Sequence, residues 1–476
     1  MEMGDHKLLP DMLRYAATEQ LWSKGDRIVA AVSGGPDSMA LLHLLCAAAK
    51  QDELTIIAAH VNHGFRKEES RHEAEIVRQY AAKLGVSFEM IELDMPAYIE
   101  ETGMNASSAS REKRYAFLHD IAAKYKASAI ALAHHADDQA ETVLMHIIRG
   151  AGLTGLSGMA AKRTEKNVEL IRPLLRMNKS DIVRYCTEQD IPYCLDSSNN
   201  EKYYFRNVVR LDVIPYLSQY NPQLTHSLRR MADVAGAEDE WMENEAQKLL
   251  VELVSLTPGE CKMDAGTLSG LHVALQRRLI KLILNYLSQD AEIGSFVAIE
   301  TMRLAAASAA PSTWRYDAGS GVRCIREYSS IRWVRVLNAA AAIMSEAYAH
   351  VIPRDSADMR VTAGGRTLYI EHSKRGEAVK PAGRNEVCFD AESLVFPLTV
   401  RNRRPGDRIQ VLGLNGSKKV QDMFVDEKIA PSERERYPLL VDADDRLLWV
   451  PGIRRSSHAL TDHETTDFLF IRIENE

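Results

Sequence analysis

The sequence predicts an α/β protein whose N-terminal part is a doubly wound parallel sheet, followed by a helical domain and a β-rich α+β C-terminal domain. Three observations lead there. From residue 27 to about 196, short β-rich runs alternate with helix-period runs, the pattern of a parallel sheet crossed by helices. After "NPQL" (221–224) the chain turns to long helical stretches, "SLRRMADVAGAEDEWMENEAQKLLVEL" and "HVALQRRLIKLILNYLSQ". Beyond the small-residue stretch "AAASAAPSTWRYDAGSGV" (305–322), β-rich runs, Gly and Pro dominate to the end. Boundaries near 218 and 345 divide the chain into segments 1–218, 219–345 and 346–476.

Within the first segment the expected strands are "RIVAAV" (27–32), "LTIIAAHV" (54–61), "VSFEMIEL" (86–93), "ASAIALA" (127–133) and "NVELIRPLL" (167–175). The helix after the first strand, "MALLHLLCAAA", is apolar on nearly every face, as expected of one locked between a sheet and its neighbours. A second helix carries Val77, Tyr80, Ala81 and Leu84 at helical spacing and stops at Gly85. A third runs from near Ser110 to Tyr125 with Tyr115, Leu118, Ala122 and Tyr125 in line. A fourth carries Ala140, Val143, Leu144 and Ile147 and ends at Gly150.

Composition narrows the class. The 476 residues carry 59 basic and 66 acidic side chains, a net charge of −7, so any polyanion must be held by local basic patches. Six cysteines with no CxxC pair outline neither a zinc site nor a disulfide framework, and reduced thiols in a cytoplasmic protein are expected. The first residues lack the order of a secretory signal, and no run approaches the roughly 20 apolar residues needed to span a bilayer.

The chemistry starts where the first strand breaks, at Ser33-Gly34-Gly35-Pro36-Asp37-Ser38. Paired glycines between a strand and a helix leave no β-carbons in the way of an anion, and the free N–H groups of the first helical turn point at it. Ser33 and Ser38 add hydroxyl donors, while Asp37 beside a polyphosphate implies an intervening cation, Mg²⁺. The plainer alternative is a tight strand-to-helix turn with Asp37 or Ser38 as N-cap. No GK[ST] is present, which excludes a Walker loop, and the dinucleotide fingerprint GxGxxG does not fit this loop. Ser-Gly-Gly-x-Asp-Ser after a strand resembles the PP-loop of the N-type ATP pyrophosphatases, which cleave ATP between the α and β phosphates to adenylate a substrate.

Three further clusters sit near the expected carboxyl edge of the sheet, where doubly wound folds bind ligands. "AAHVNHGFR" (58–66) brings His60, Asn62, His63 and Arg66, either as part of a nucleotide crevice or as a locally satisfied polar loop. "REKRY" places Arg111 and Arg114 on the stripe of Tyr115 and Leu118, where they need an anionic partner or form salt bridges to Glu112 or Asp120. "HHADDQAET" sets Asp137 and Glu141 on one helix face, suited to an ammonium or a metal ion, with one of Asp137 and Asp138 an N-cap.

Together "AAVSGGPDSMALL", "AAHVNHGFR", "REKRY", "HHADDQAET", "RGAGLTGLSGM", "IRPLL" and "DSSNNEKYYFRNVVR" resemble the tRNA(Ile)-lysidine synthetase family in order and spacing. "RNRRPGDRIQVLGLNGSKKVQDMFVDEKI" and "WVPGIRRS" are similar to that family's C-terminal domain, so the resemblance covers nearly the whole chain, weakest over 225–395. Phe65 stands where the family usually has Leu, and Ser108 and Ser110 replace residues more often Glu or Ala.

The resemblance implies an adenine nucleotide α-hydrolase-like catalytic domain at 1–218 and tRNA-binding domains at 219–345 and 346–476. The implied activity is ligation of free L-lysine to C2 of the wobble cytidine of a CAU-anticodon tRNA(Ile), with ATP cut to AMP and pyrophosphate. Ser33, Gly34, Gly35, Pro36, Asp37, Ser38, His60 and Asn62 would bind ATP, with Asp37 on Mg²⁺. Arg111 and Arg114 would neutralise charge during adenyl transfer or hold the tRNA, while Asp137 and Glu141 would position lysine and Asp137 accept its proton. Arg206, Arg210, Arg403, Arg404, Lys418 and Lys419 are the expected tRNA contacts, and a homodimer is expected. A tRNA thiolase would need reactive cysteines or an iron–sulfur cluster, and an amidotransferase-type ligase a glutaminase domain or N-terminal Cys; the sequence offers neither. A non-catalytic nucleotide or tRNA binder is disfavoured by the presence of both Asp37 and Asp137.

Overall fold

A computed structural model describes residues 7–65, 67–195, 204–288, 294–308, 312–336, 347–355, 358–374, 381–413 and 416–475. Arg66, the 196–203 part of "DSSNNEKYYFRNVVR" and the boundary near 345 lie outside them. The chain divides into two compact units, Met1–Trp241 and Met242–Glu476.

The first unit contains α1 (Leu8–Thr18), β1 (Arg27–Ala31), α2 (Pro36–Asp52), β2 (Thr55–Asn62), α3 (Lys67–Leu84), β3 (Ser87–Glu92), α4 (Met95–Thr102) and α5 (Ala106–Tyr125). It continues with β4 (Ala129–Ala131), α6 (Ala136–Ile148), α7 (Leu153–Leu156), β5 (Lys162–Glu165), β6 (Val168–Ile171) and α8 (Lys179–Glu188). The strands form one sheet in the order β3-β2-β1-β4-β6-β5, parallel except for β5, which runs antiparallel to β6. The order reverses between β1 and β4, the switch point of a doubly wound sheet.

Residue alternation along β1 explains the two helical layers. Ile28 and Ala30 point into a core built with α1, α2, α3 and α8, through Met39, Leu42, Val77 and Ile182. Val29 points the other way, with Ile57 and Ile130, onto Tyr115, Leu118 and Ile121 of α5. All three β1 residues are fully buried, so the end of β1 is held on both faces. The five expected strands are present, each within a few residues of its expected ends. The edge strand β5 is additional; its exposed, charged "KRTE" carries no apolar alternation. The helix expected from near Ser110 starts earlier, at Ala106, because Asn105 Oδ1 accepts from the Ser108 N–H at 2.9 Å and caps the end.

In the second unit, residues 255–335 hold a five-stranded antiparallel sheet beside the helices Val273–Leu287 and Phe296–Ala307. Fully buried Trp333 packs there with Leu279, Ile283 and Met302. Helices are expected over most of 219–345 and β-rich runs beyond 305–322, so Val322–Glu327 and Ser330–Arg335 fall where strands are expected, while the other three strands are additions that complete this sheet. Those three are short and half exposed, as in the burial alternation of Thr313–Gly319, so they leave only a weak apolar signal. Among the described residues, 349–475 form three further antiparallel sheets, of five, four and two strands, the larger two around Phe389, Leu440 and Trp449.

Arg401, the first arginine of "RNRR", is 2% exposed and donates from Nη1 and Nη2 to Asp407 at 2.9 Å each. It also reaches Asp445 Oδ1 at 3.2 Å, so it ties two turns to a strand. Removing one partner of a buried ion pair strands the other charge, at a cost of about 3–5 kcal/mol. Arg401→Ala should lower the stability of the second unit by that order in denaturant unfolding; an unchanged midpoint would show that Arg401 is not structural.

Candidate active site

The carboxyl ends of β1, β2 and β4 border a cavity of about 960 Å³, lined among others by Ser33, Gly35, Asp37, Asn62, Arg114 and Asp137. Gly34 has φ +94°, a backbone conformation that an L side chain rarely adopts. Gly35 is different: its φ of −77° is ordinary, and an added Cβ would meet only Ser33 Oγ, at 3.7 Å. The fold itself therefore does not demand glycine at 35, and the bare surface it leaves faces the cavity. Pro36 opens α2, whose first N–H groups have no intrahelical acceptor.

Ser38 is turned inward. Its Oγ accepts from the Ser33 and Gly34 N–H groups at 3.0 and 3.2 Å and donates to the Gly35 carbonyl at 3.0 Å. Its hydroxyl shapes the loop from within. His60 is buried outside the cavity lining, and its Nδ1 donates to the Val32 carbonyl at 2.8 Å, tying β2 to the end of β1. Asn62 Oδ1 accepts from the Gly64 N–H at 2.9 Å, forming the turn that carries His63 into the wall.

Carboxylates and cations alternate around the opposite wall. Lys179, the first residue of α8, sets its Nζ 2.5 Å from both oxygens of Asp37. Its own N–H donates to Asp137 Oδ2 at 2.9 Å, so Asp137 caps α8 from another element. Asp138 Oδ2 accepts the His135 N–H at 3.1 Å and thereby closes the start of α6. The His135 ring lies 3.8, 3.6 and 3.3 Å from Asp37, Asp137 and Asp138. Burial opposes its charge, but Asp137, Asp138 and Asp37 outweigh burial and hold its pKa above the usual histidine value.

Glu141 is 2% exposed and fully engaged. Arg210 Nε and Arg206 Nε donate to its two oxygens at 2.5 and 2.7 Å, and both guanidiniums also reach Asp138 Oδ1, at 3.0 and 3.2 Å. These arginines come from the helical turn Phe205–Val208 and the π turn Val209–Val213. Asp138 therefore shares these arginines with Glu141, the residue expected with Asp137 to position lysine. Arg206 and Arg210, expected to meet tRNA, are in the structure the counterions of that pair.

Arg114 lines the cavity, whereas Arg111 does not. Arg111 stacks over Tyr115, 4.7 Å from the ring centroid, beside a second hollow of about 490 Å³ with Arg163, Glu165 and Lys166. In the second unit Arg403 pairs with Glu435 at 3.2 Å, Arg404 with Asp445 at 3.5 Å, and Lys418 with Asp426 at 2.5 Å; Lys419 is exposed.

Lys179, Asp138, His134 and His135 all line the cavity without having been expected there. The adjacent aspartates and histidines of "HHADD" offered a signal; nothing local marks Lys179. Among the described residues, no group of three or more His, Cys, Asp or Glu side chains forms a metal cage. Mg²⁺ in nucleotide sites uses one or two carboxylates, phosphate oxygens and water. Asp37, already bearing a lysine ammonium as stand-in cation, fits that requirement.

Residues 11–217 match the model of the PP-loop domain family, and residues 398–470 that of the TilS substrate C-terminal domain. The chain is 33% identical over 437 residues to the tRNA(Ile)-lysidine synthase of Bacillus subtilis (strain 168), covering 91% of each chain. It is 32% identical over 441 residues to that of Geobacillus kaustophilus (strain HTA426), covering 92% of this chain and 93% of the relative. A crystal structure of a TILS C-terminal domain aligns at 29% identity and a TM-score of 0.25, covering 27% of this chain and 98% of that one.

Burial, then the charge of Arg114 and His60, pushes the His63 pKa down to about 4. Between the ordinary value near 6.5 and that value, the unfolded chain binds a proton that the folded one refuses. Stability should therefore fall as pH falls through this window, by roughly 1 kcal/mol per pH unit from this group. His63→Asn should flatten that slope in urea unfolding at stepped pH, and identical slopes would refute the assignment.

Proposed function

The chain belongs to the tRNA(Ile)-lysidine synthase family, and from that premise we propose that it ligates free L-lysine to C2 of the wobble cytidine of a CAU-anticodon tRNA(Ile) at the expense of ATP. One observation carries the site assignment. A glycine loop with an ordinary-φ glycine facing the cavity and a ring of carboxylates meet in a single cavity.

Two displacements follow. The cytosine O2 attacks the α-phosphorus of ATP and pyrophosphate leaves; the lysine ε-amine then attacks C2 and AMP leaves. Adenylation is required because a carbonyl oxygen is a poor leaving group. The loop 33–38 and the first turn of α2 hold the pyrophosphate portion. Mg²⁺, held by Asp37, neutralises polyphosphate charge when bound. Arg114 faces the same space and supplies positive charge during adenyl transfer. Neutral His63, with a buried Nδ1 that has no hydrogen-bond partner among the described residues, borders the adenosine end.

The lysine substrate brings an ammonium to Asp137, Asp138 and Glu141, and Asp137 accepts the proton that makes the amine nucleophilic. Arg206 and Arg210 compete with that ammonium for the oxygens of Asp138 and Glu141. Segments 219–345 and 346–476 hold the tRNA, with Arg403, Arg404, Lys418 and Lys419 on its phosphates. Base reading is confined to the unstacked anticodon loop.

Incubation with ATP, Mg²⁺, labelled lysine and unmodified tRNA(Ile) should place label in the RNA, and changing the wobble C to U should abolish it. Label in both RNAs equally, or in neither, would overturn the reading. Charge reversal at Arg403 and Arg404 should weaken tRNA binding about ten-fold or more at moderate salt while ATP affinity stays constant. Unchanged tRNA affinity in a filter-binding titration would remove these residues from the interface.

A further inference from the structure

Arg111 has no part in the mechanism above, yet it borders a hollow of its own, about 490 Å³, between α5 and the hairpin of β5 and β6. Tyr115 is common to the walls of this hollow and of the catalytic cavity. Two guanidiniums lie by its ring, Arg111 at 4.7 Å and Arg114 at 5.7 Å from the centroid, with Arg114 lining the cavity and Arg111 the hollow. Three residues of helix, a rise of about 4.5 Å, lead from one arginine to the other. A single nucleotide spans that step.

The hairpin supplies the opposite wall. Three of the four residues of β5 are exposed, so the strand adds little to the core. Its turn consists of Lys166 and Asn167, both at positive φ (48° and 67°), the tight two-residue geometry that holds Lys166 at a fixed point beside Arg163 and Glu165. Charges on an edge strand also guard it from pairing with another chain, but that role does not call for a concave wall facing an arginine. The two carboxylates of the hollow are already engaged: Glu112 accepts from the Tyr98 hydroxyl at 3.0 Å, and Glu165 from His119 Nε2 at 3.1 Å and Arg163 Nη2 at 2.5 Å. Arg111 and Lys166 make no ion pair among the described residues, and the hollow is left with positive charge facing open space.

We propose that this hollow is a second RNA subsite: the target cytidine enters the catalytic cavity, and the backbone phosphate of a neighbouring anticodon-loop nucleotide passes over Tyr115 and settles between Arg111, Arg163 and Lys166. Such a contact reads no base; it fixes the register in which the loop is presented to the cavity. This inference rests on the tRNA reading above and does not involve ATP or lysine.

The test is filter binding of unmodified tRNA(Ile) to the full-length protein over a salt series, in wild type, R163Q/K166N and R163K/K166R, with thermal melting and ATP titration as controls. Asn at 166 tolerates the positive φ while removing the charge. R163Q/K166N should weaken tRNA binding about 5- to 20-fold and reduce the steepness of log affinity against log salt by about 1, with ATP affinity unchanged. R163K/K166R, which keeps both charges, should stay within about three-fold of wild type. A tRNA with one neutral methylphosphonate linkage beside the wobble nucleotide should bind wild type more weakly by a similar factor, yet lose less than about two-fold further with R163Q/K166N, because two changes that remove one contact do not add. Unchanged affinity and salt dependence in R163Q/K166N, a wild type indifferent to neutral linkages on both sides of the wobble nucleotide, or losses that add in full would overturn the subsite while leaving the tRNA reading intact. A wild-type protein that binds no tRNA(Ile) would overturn that reading as well.

Discussion

Four carboxylates, those of Asp37, Asp137, Asp138 and Glu141, meet around one cavity at the carboxyl edge of β1 and β4, and their mutual repulsion is the constraint on which the rest of the site depends. A parallel sheet creates the problem by delivering every helix N-terminus to the same edge. Helix dipoles favour acids in those first turns, but they do not neutralise four charges packed together. The compensation is local and cationic: Lys179 on Asp37, the raised pKa of His135 among three aspartates, and Arg206 with Arg210 on Asp138 and Glu141. Each cation comes from a different stretch of chain than the acid it meets, except His135. The charge network therefore also holds α2, α6, α8 and the turn at 205–213 together.

A network of this kind suits a site that must accept two unlike substrates. On the proposed function, polyphosphate would seek the N–H groups and cations and an ammonium the carboxylates, groups that the structure shows already paired. Substrate binding at such a site would be an exchange of ionic partners, which avoids leaving any charge buried and alone. The neutral histidines complete the contrast. Burial keeps His63, after β2, and His134, after β4, below the usual histidine range, so that these two side chains are polar but uncharged.

The basic residues beyond the first unit divide by burial. Arg401 is an internal strut, and Arg455 donates to the Cys388 carbonyl at 2.9 Å with its guanidinium over Phe389. Arg404, paired with Asp445, and Lys419 are exposed, and both are among the positions proposed for tRNA phosphates. With a net charge of −7 overall, attraction of an RNA depends on such local sites and is sensitive to salt.

The sequence alone determined the doubly wound sheet, the phosphate loop and the acid-rich start of α6. These rest on local periodicity and on glycine chemistry that a few consecutive residues carry. The strands at 255–257, 260–264 and 313–319 of the middle sheet escaped because, short and half exposed, they leave no continuous apolar run. The roles of Ser38, His60 and Asn62 within the loop and turn, the displacement of Arg111 from the cavity, and the capture of Glu141 by Arg206 and Arg210 were decided only by the tertiary structure. The same holds for Lys179, 142 residues from the aspartate it neutralises. A pairing over that distance leaves no trace in spacing, because it exists only once β1 and β6 have brought α2 and α8 to the same edge of the sheet.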